Sequence, residues 1–197
     1  MAGLVPATHE HLAVRSVWVA RTSRAMTDVW MLQRLLCDEM LRRTGRWLRA
    51  AGHDTAISEG AEPDRALIDR ARAEARTLFT RDRHLAAEAK AAGIPTILLT
   101  DDRVDDQALA LARAGVDWLA APFTRCVIDN TPLVDAPPEV LAALPAGTAG
   151  LPGPFRLCPA CARPYWPGSH VRRMREKLER WASPSPLAGE GPGEAGG

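Results

Sequence analysis

The sequence predicts an α/β fold: a mainly parallel sheet flanked by helices, followed by a small cysteine-bearing module. Two observations carry this. Short apolar runs alternate with helical patterns from Leu35 to Ala114, a rhythm that builds right-handed βαβ units around a parallel sheet. Three of the four cysteines, Cys126, Cys158 and Cys161, come after that alternation ends.

Each element has its own signal. Leu35-Leu36-Cys37 is a short apolar run closed by Asp38, the pattern of a buried strand. Met40, Thr44, Trp47, Leu48 and Ala51 then recur at helical spacing, and Gly52 is the stop. Residues 54–57 read as a second strand. Pro63 opens a helix whose inner face is Ala66, Leu67, Arg70, Ala71 and Ala75. Residues 77–80 form a third strand, an Ala-rich helix covers 83–92, and Gly93 ends it. A fourth strand is expected over 94–100 and a further helix over 104–114.

The chain has 197 residues, 46% of them hydrophobic, and a net charge of +1. That length admits one ordinary domain or two small ones. The expected partition is a poorly structured extension over 1–30, an α/β domain over 31–120, a module with a C-terminal helix over 121–182, and a Pro- and Gly-rich disordered tail over 183–197. No 18-residue apolar run is present to span a membrane. The first 25 residues lack the apolar stretch of a secretory signal. The expected location is therefore the cytoplasm, where clustered cysteines bind metal more often than they form disulfides.

In a parallel sheet, ligands bind at the carboxyl ends of the strands. Three predicted strands end in acid: Asp38-Glu39, Arg81-Asp82 and Asp101-Asp102. Asp64, at the start of the second helix, enters from the same edge. Carboxylates that converge repel one another unless a cation neutralises them, and hard oxygen ligands suit Mg²⁺ or Mn²⁺. Such an ion activates water and stabilises charge on a phosphodiester under attack. Asp38, Asp82, Asp64 and Asp101 are the candidate catalytic residues, with Asp38 and Asp82 as direct Mg²⁺/Mn²⁺ ligands. The plainer reading of Asp38 and Asp82 is that each caps the helix after it. Two other acidic α/β sites do not fit: Met40 stands where a haloacid-type phosphohydrolase needs its second Asp, and no Lys closes the fourth strand as a receiver domain requires.

Basic residues are unevenly placed. Acids outnumber bases over 51–120, whereas bases outnumber acids over 163–181. Arg42, Arg46 and Arg49 share a helical face by spacing, and Arg173 and Lys177 lie on a later one. Two basic faces beside an acidic cleft suit a phosphodiester-cutting enzyme, since arginine grips neighbouring phosphates. A solvated helix face with no partner is the alternative. Cys158-Pro-Ala-Cys161 is a C-x₂-C knuckle, and Cys126 is followed at the matching position by Asp129. Zinc takes four ligands in structural sites; Asp129, His170 or water could complete the three thiolates. Cys37 reads as a small buried strand residue.

These residues, taken together, resemble the Mut-seven-C RNase family, a PIN-like domain fused to a C-terminal zinc ribbon. The resemblance runs from Leu35 to Trp181. It rests on Leu36-Cys37-Asp38-Glu39-Met40, Gly45-Arg46-Trp47-Leu48-Arg49, Leu78-Phe79-Thr80-Arg81-Asp82-Arg83 and Phe123-Thr124-Arg125-Cys126 with Asn130. The second module adds Cys158-Pro159, Cys161, Arg163, Tyr165-Trp166, Gly168-Ser169-His170 and Arg173-Met174. It implies a PIN-like ribonuclease that uses Asp38 and Asp82 with Mg²⁺ or Mn²⁺ on RNA, and zinc at Cys126, Cys158 and Cys161. The chain departs from the family pattern at Asp129, where the pattern has Cys. PIN-like domains often pair, so a homodimer is compatible with the resemblance. The competing function is a non-catalytic RNA-binding protein with a degenerate PIN-like site. For Tyr165-Trp166, a place in the ribbon core competes with stacking on unpaired bases.

Overall fold

The computed structural model describes residues 34–183 apart from 61 and 149. The expected N-terminal extension and, Ser183 apart, the expected C-terminal tail lie outside the described residues. Four strands form one parallel sheet: β1 (Arg34–Cys37), β2 (Asp54–Ile57), β3 (Thr77–Thr80) and β4 (Thr96–Leu98), in the order β2-β1-β3-β4. The crossovers carry α1 (Arg42–Ala50), α2 (Asp64–Ala73) and α3 (Arg83–Ala91), and α4 (Val104–Arg113) follows β4.

Side chains alternate across the sheet, so each strand feeds two cores. Leu35, Cys37 and Phe79 face a layer built by α1 and α4, with Leu48, Ala108 and Leu111. Leu36 and Leu78 face α2 and α3, with Leu67, Ile68, Ala71, Leu85 and Ala89. Each fully buried leucine contributes about 1.5–3 kcal/mol relative to exposure. Burial on both faces is why the strands read as unbroken apolar runs.

The step from β1 into α1 differs from expectation. A 3₁₀ turn, Glu39–Leu41, comes first, with the Asp38 carboxylate accepting from the Met40 amide. The turn shifts the helical phase, so Met40 is 58% exposed and the inner face is Leu41, Thr44, Gly45 and Leu48. Gly45 is where the helix touches the sheet: a Cβ there would lie 2.8 Å from Ile57 Cγ1. At β4 the ladder covers only Thr96–Leu98, shorter than expected.

The second module holds β5 (Val134–Asp135), α5 (Pro138–Ala142), β6 (Arg156–Leu157) and β7 (Pro164–Tyr165), with an antiparallel sheet in the order β5-β6-β7. It is joined to the edge of the parallel sheet at the amino end of β2. Asn130 accepts from the Thr55 amide (3.0 Å) and donates to Asp54 (2.7 Å), satisfying a backbone donor on that edge strand. The Phe123 amide donates to the Ala50 carbonyl at the end of α1 (2.8 Å).

The final helix, α6 (Ser169–Ala182), packs on the α/β core. It buries Leu178 and Trp181, and the Trp181 ring meets Trp47 at 4.9 Å and Trp118 at 5.0 Å between centroids. Its far end reaches α4, where Trp181 Nε1 donates to Asp105 (3.0 Å). Among the described residues, no helix is long and apolar enough to cross a membrane.

Candidate active site and candidate metal centre

β1 and β3 are neighbours in the sheet, so the residues after them emerge side by side at its carboxyl edge. The Asp38 amide continues the ladder by donating to the Phe79 carbonyl (2.9 Å). Thr80, fully buried, ties the two ends together: its hydroxyl donates to Asp38 Oδ2 (2.7 Å) and accepts from the Asp82 amide (2.9 Å). Asp38 is 9% exposed, whereas Asp82 faces solvent. Asp82 also caps α3, with Oδ1 accepting from the amides of His84 (2.6 Å) and Leu85 (3.1 Å). Its Oδ2 has no hydrogen-bond partner among the described residues.

The other two acids lie apart from this pair. Asp64 opens α2 and groups with His84 and Glu88 of α3, their ligand atoms within 4.8 Å of one another. Among the described residues, no such group of three contains Asp38, Asp82 or Asp101. Asp101 is half-buried after β4, held through its backbone: Gln107 Nε2 donates to its carbonyl (2.8 Å), and the buried Thr44 hydroxyl donates to Gln107. Sequence reasoning missed Thr80, His84, Glu88 and Arg81. Arg81 pairs with Asp102, while its Nε is buried without a partner among the described residues. Only His84 and Glu88 carried a readable signal, an i, i+4 spacing on α3.

The basic residues divide. Arg46 and Arg173 are exposed and Arg42 is half-buried beside Glu39. Arg49 does not join them. Arg49 is 6% exposed, and its guanidinium donates to the carbonyls of Thr55 (2.8 Å), Val127 (3.3 Å) and Ile128, linking α1, β2 and the second module. Lys177 is also engaged internally, 3.1 Å from Asp105 and lying over the Trp47 and Trp181 rings. Helical spacing assigned both to an outward face, but long side chains can turn inward to buried acceptors.

The cysteines converge. Cys126, Asp129, Cys158 and Cys161 have ligand atoms within 4.8 Å of one another, and the sulfurs of Cys126 and Cys161 are 3.7 Å apart. Tetrahedral zinc with Zn–S bonds of 2.3 Å places its sulfurs about 3.8 Å apart. Two turns of the same form build the site. In each, the amide four residues on donates to the cysteine carbonyl: Asn130 to Cys126 and Ala162 to Cys158, both 2.9 Å. Asn130 (φ 71°) and Ala162 (φ 54°) take the left-handed conformation that folds each knuckle back. Asp129 thus occupies the fourth corner, while His170 lies outside the group.

Burial acts to raise the Asp129 carboxyl, but hydrogen bonds led by the Thr131 amide outweigh it and hold Asp129 well below the usual carboxylate range. Asp129 in turn pushes the Cys161 thiol up to about 12. Three thiols and a carboxylate fit zinc, which would draw the thiols into the thiolate form. Tyr165 donates its hydroxyl to Cys126 Sγ (3.1 Å) and packs on the knuckle. Trp166 instead stays half-exposed. Cys37, sealed in the core, has its thiol raised by burial to about 12.

Comparison with curated proteins and with solved structures finds no match. The family described as "Mut7-C RNAse domain" matches residues 33–178, which spans both the strand-end aspartates and the cysteine cluster. The chain belongs to the Mut7-C RNAse domain family.

Proposed function

We propose that the protein is a Mg²⁺- or Mn²⁺-dependent ribonuclease whose cleft lies at the carboxyl ends of β1, β3 and β4. The observation that carries this reading is the Thr80 hydroxyl, which ties Asp38 and Asp82 together at the ends of adjacent strands. Asp38 and the unpartnered Oδ2 of Asp82 would hold the ion, an all-oxygen donor set suited to either metal. When bound, the ion activates water and offsets charge on the scissile phosphate.

The remaining residues position and grip. The Thr44–Gln107 pair holds the Asp101 backbone at the third strand end. Arg81, paired with Asp102 and with its Nε buried, would add positive charge beside the strand ends. Asp64, grouped with His84 and Glu88 apart from Asp38 and Asp82, would serve as an outer acid. Arg46 and Arg173 supply exposed charge for the RNA backbone, and Arg42, paired with Glu39, would add to it. The Cys126, Asp129, Cys158 and Cys161 site holds zinc in a structural role.

The test is cleavage of labelled single-stranded RNA by the full-length protein with Mn²⁺ or Mg²⁺, repeated with Asp38→Asn and Asp82→Asn. We expect metal-dependent cutting by the parent and a loss of more than about 100-fold in each variant, beyond what outer-shell changes cost. Absence of cutting, or unchanged rates in both variants, would defeat the proposal. A second reading, an RNA-binding protein without activity, draws on the fact that both aspartates already cap turns. It predicts binding without cleavage. Elemental analysis of the reduced protein should find one zinc per chain.

A further inference from the structure

Two adjoining cavities of about 460 and 120 Å³ meet at Trp166 on the second module. Tyr165 and Val171 line both as well. The Tyr165 hydroxyl is committed to Cys126 and its ring packs on the knuckle, which leaves the half-exposed indole of Trp166 as the available aromatic face. Gly168 keeps the groove open: a Cβ there would lie 3.1 Å from Trp166 Nε1. Gly168 is also the N-cap of α6 and provides no side-chain cap. The first amides of a 14-residue helix therefore open beside the ring.

The surrounding charge is one-sided. Arg163 and His170 line the larger cavity, and Arg172 and Arg173 follow on the helix. Among the described residues, no carboxylate pairs with Arg163, Arg172 or Arg173. An aromatic face, helix amides and unpaired guanidinium groups together match an unpaired nucleotide, with the base on the ring and its phosphate on the donors. An apolar peptide would leave those donors and cations unmatched.

We infer that the Trp166 groove is an RNA subsite that stacks one unpaired base of the strand being cut; this rests on the ribonuclease reading above. The module contacts the amino end of β2, and α6 runs from there to Asp105 in the first turn of α4, beside the carboxyl edge of the sheet. A 14-residue helix spans roughly 20 Å, so the groove at its start lies well away from its contact with Asp105.

The test uses the full-length, zinc-loaded protein carrying Asp82→Asn, so that cleavage does not enter, and a fluorescent oligouridylate of about 15 nucleotides, near the upper site size of small single-strand binders. Trp166→Ala and Trp166→Leu should each weaken binding about tenfold, and Trp166→Phe should remain within about threefold of the parent. The same oligonucleotide bearing 4-thiouridine should photo-crosslink to the peptide that contains Trp166. Parental affinity in the Leu variant, or crosslinks confined to other segments, overturns the subsite. Should Trp166→Ala lose its zinc or its fold, the crosslink on the protein with Trp166 intact decides alone. A parent that crosslinks at Trp166 but never cuts would remove the nuclease and keep the groove; one that cuts with no contribution from Trp166 would do the reverse.

Discussion

Thr80 ties two strand ends with one hydroxyl, donating to the Asp38 carboxylate and accepting from the Asp82 backbone amide. Thr80→Val removes both bonds at nearly constant volume and leaves Asp38 buried with a lost donor. We expect cleavage to fall by about 10–100-fold with a rise in the Mn²⁺ needed for half-maximal rate, the usual effect of losing an outer-shell partner. Thr80→Ser should stay near the parent; a metal titration of all three proteins checks this, and a Val variant that matches the parent would remove Thr80 from the site. Asp38 and Asp82 were legible because strand-end acids announce themselves against apolar runs. Thr80 was not, since a β-branched residue inside a strand looks like ordinary strand composition. Arg49 and Lys177 were misplaced for a related reason: helical spacing gives an angle around an axis, and a long side chain can bend away from it.

The turn between α1 and β2 shows what the elements depend on. Gly52 has φ 98°, and a Cβ there would run into the Ala121 carbonyl. Gly52→Ala should therefore cost about 1–3 kcal/mol, read as a lower urea midpoint at unchanged slope. The next residue, His53, contacts the Asp117 carbonyl through Nε2 (2.7 Å), and burial lowers its pKa despite that acceptor. Below its ordinary value of about 6.5, the unfolded chain then binds more protons than the folded one, so stability falls as pH drops through that value. His53→Gln should flatten this part of the stability–pH curve; an equal slope in parent and variant, measured by urea melts from neutral to acid pH, would assign the dependence elsewhere. The strand and helix order was readable from apolar rhythm and from stops such as Gly52. The 3₁₀ turn after β1 was not, because its phase shift comes from the capping bond to Asp38 and not from any hydrophobic spacing.

At the scale of the whole molecule, α6 turns two modules into one packed body. Trp181 is 3% exposed, contacts Trp47 and Trp118, and donates to Asp105. Trp181→Ala should destabilise the α/β core by about 3–5 kcal/mol, seen in its urea unfolding, although the residue lies beyond the cysteine module in sequence. A variant that loses zinc yet keeps the parent's core stability would contradict this assignment. By itself, the sequence determined the α/β order, the acids at three strand ends and the two knuckles of the cysteine site, because each is a local pattern: a period, a stop or a fixed spacing. Only the tertiary structure decided that Asp129 and not His170 joins the cysteines, that Arg49 turns inward, and that the last helix belongs to the first core. Those outcomes depend on which distant segments meet, and contacts between segments leave no periodic trace in the chain.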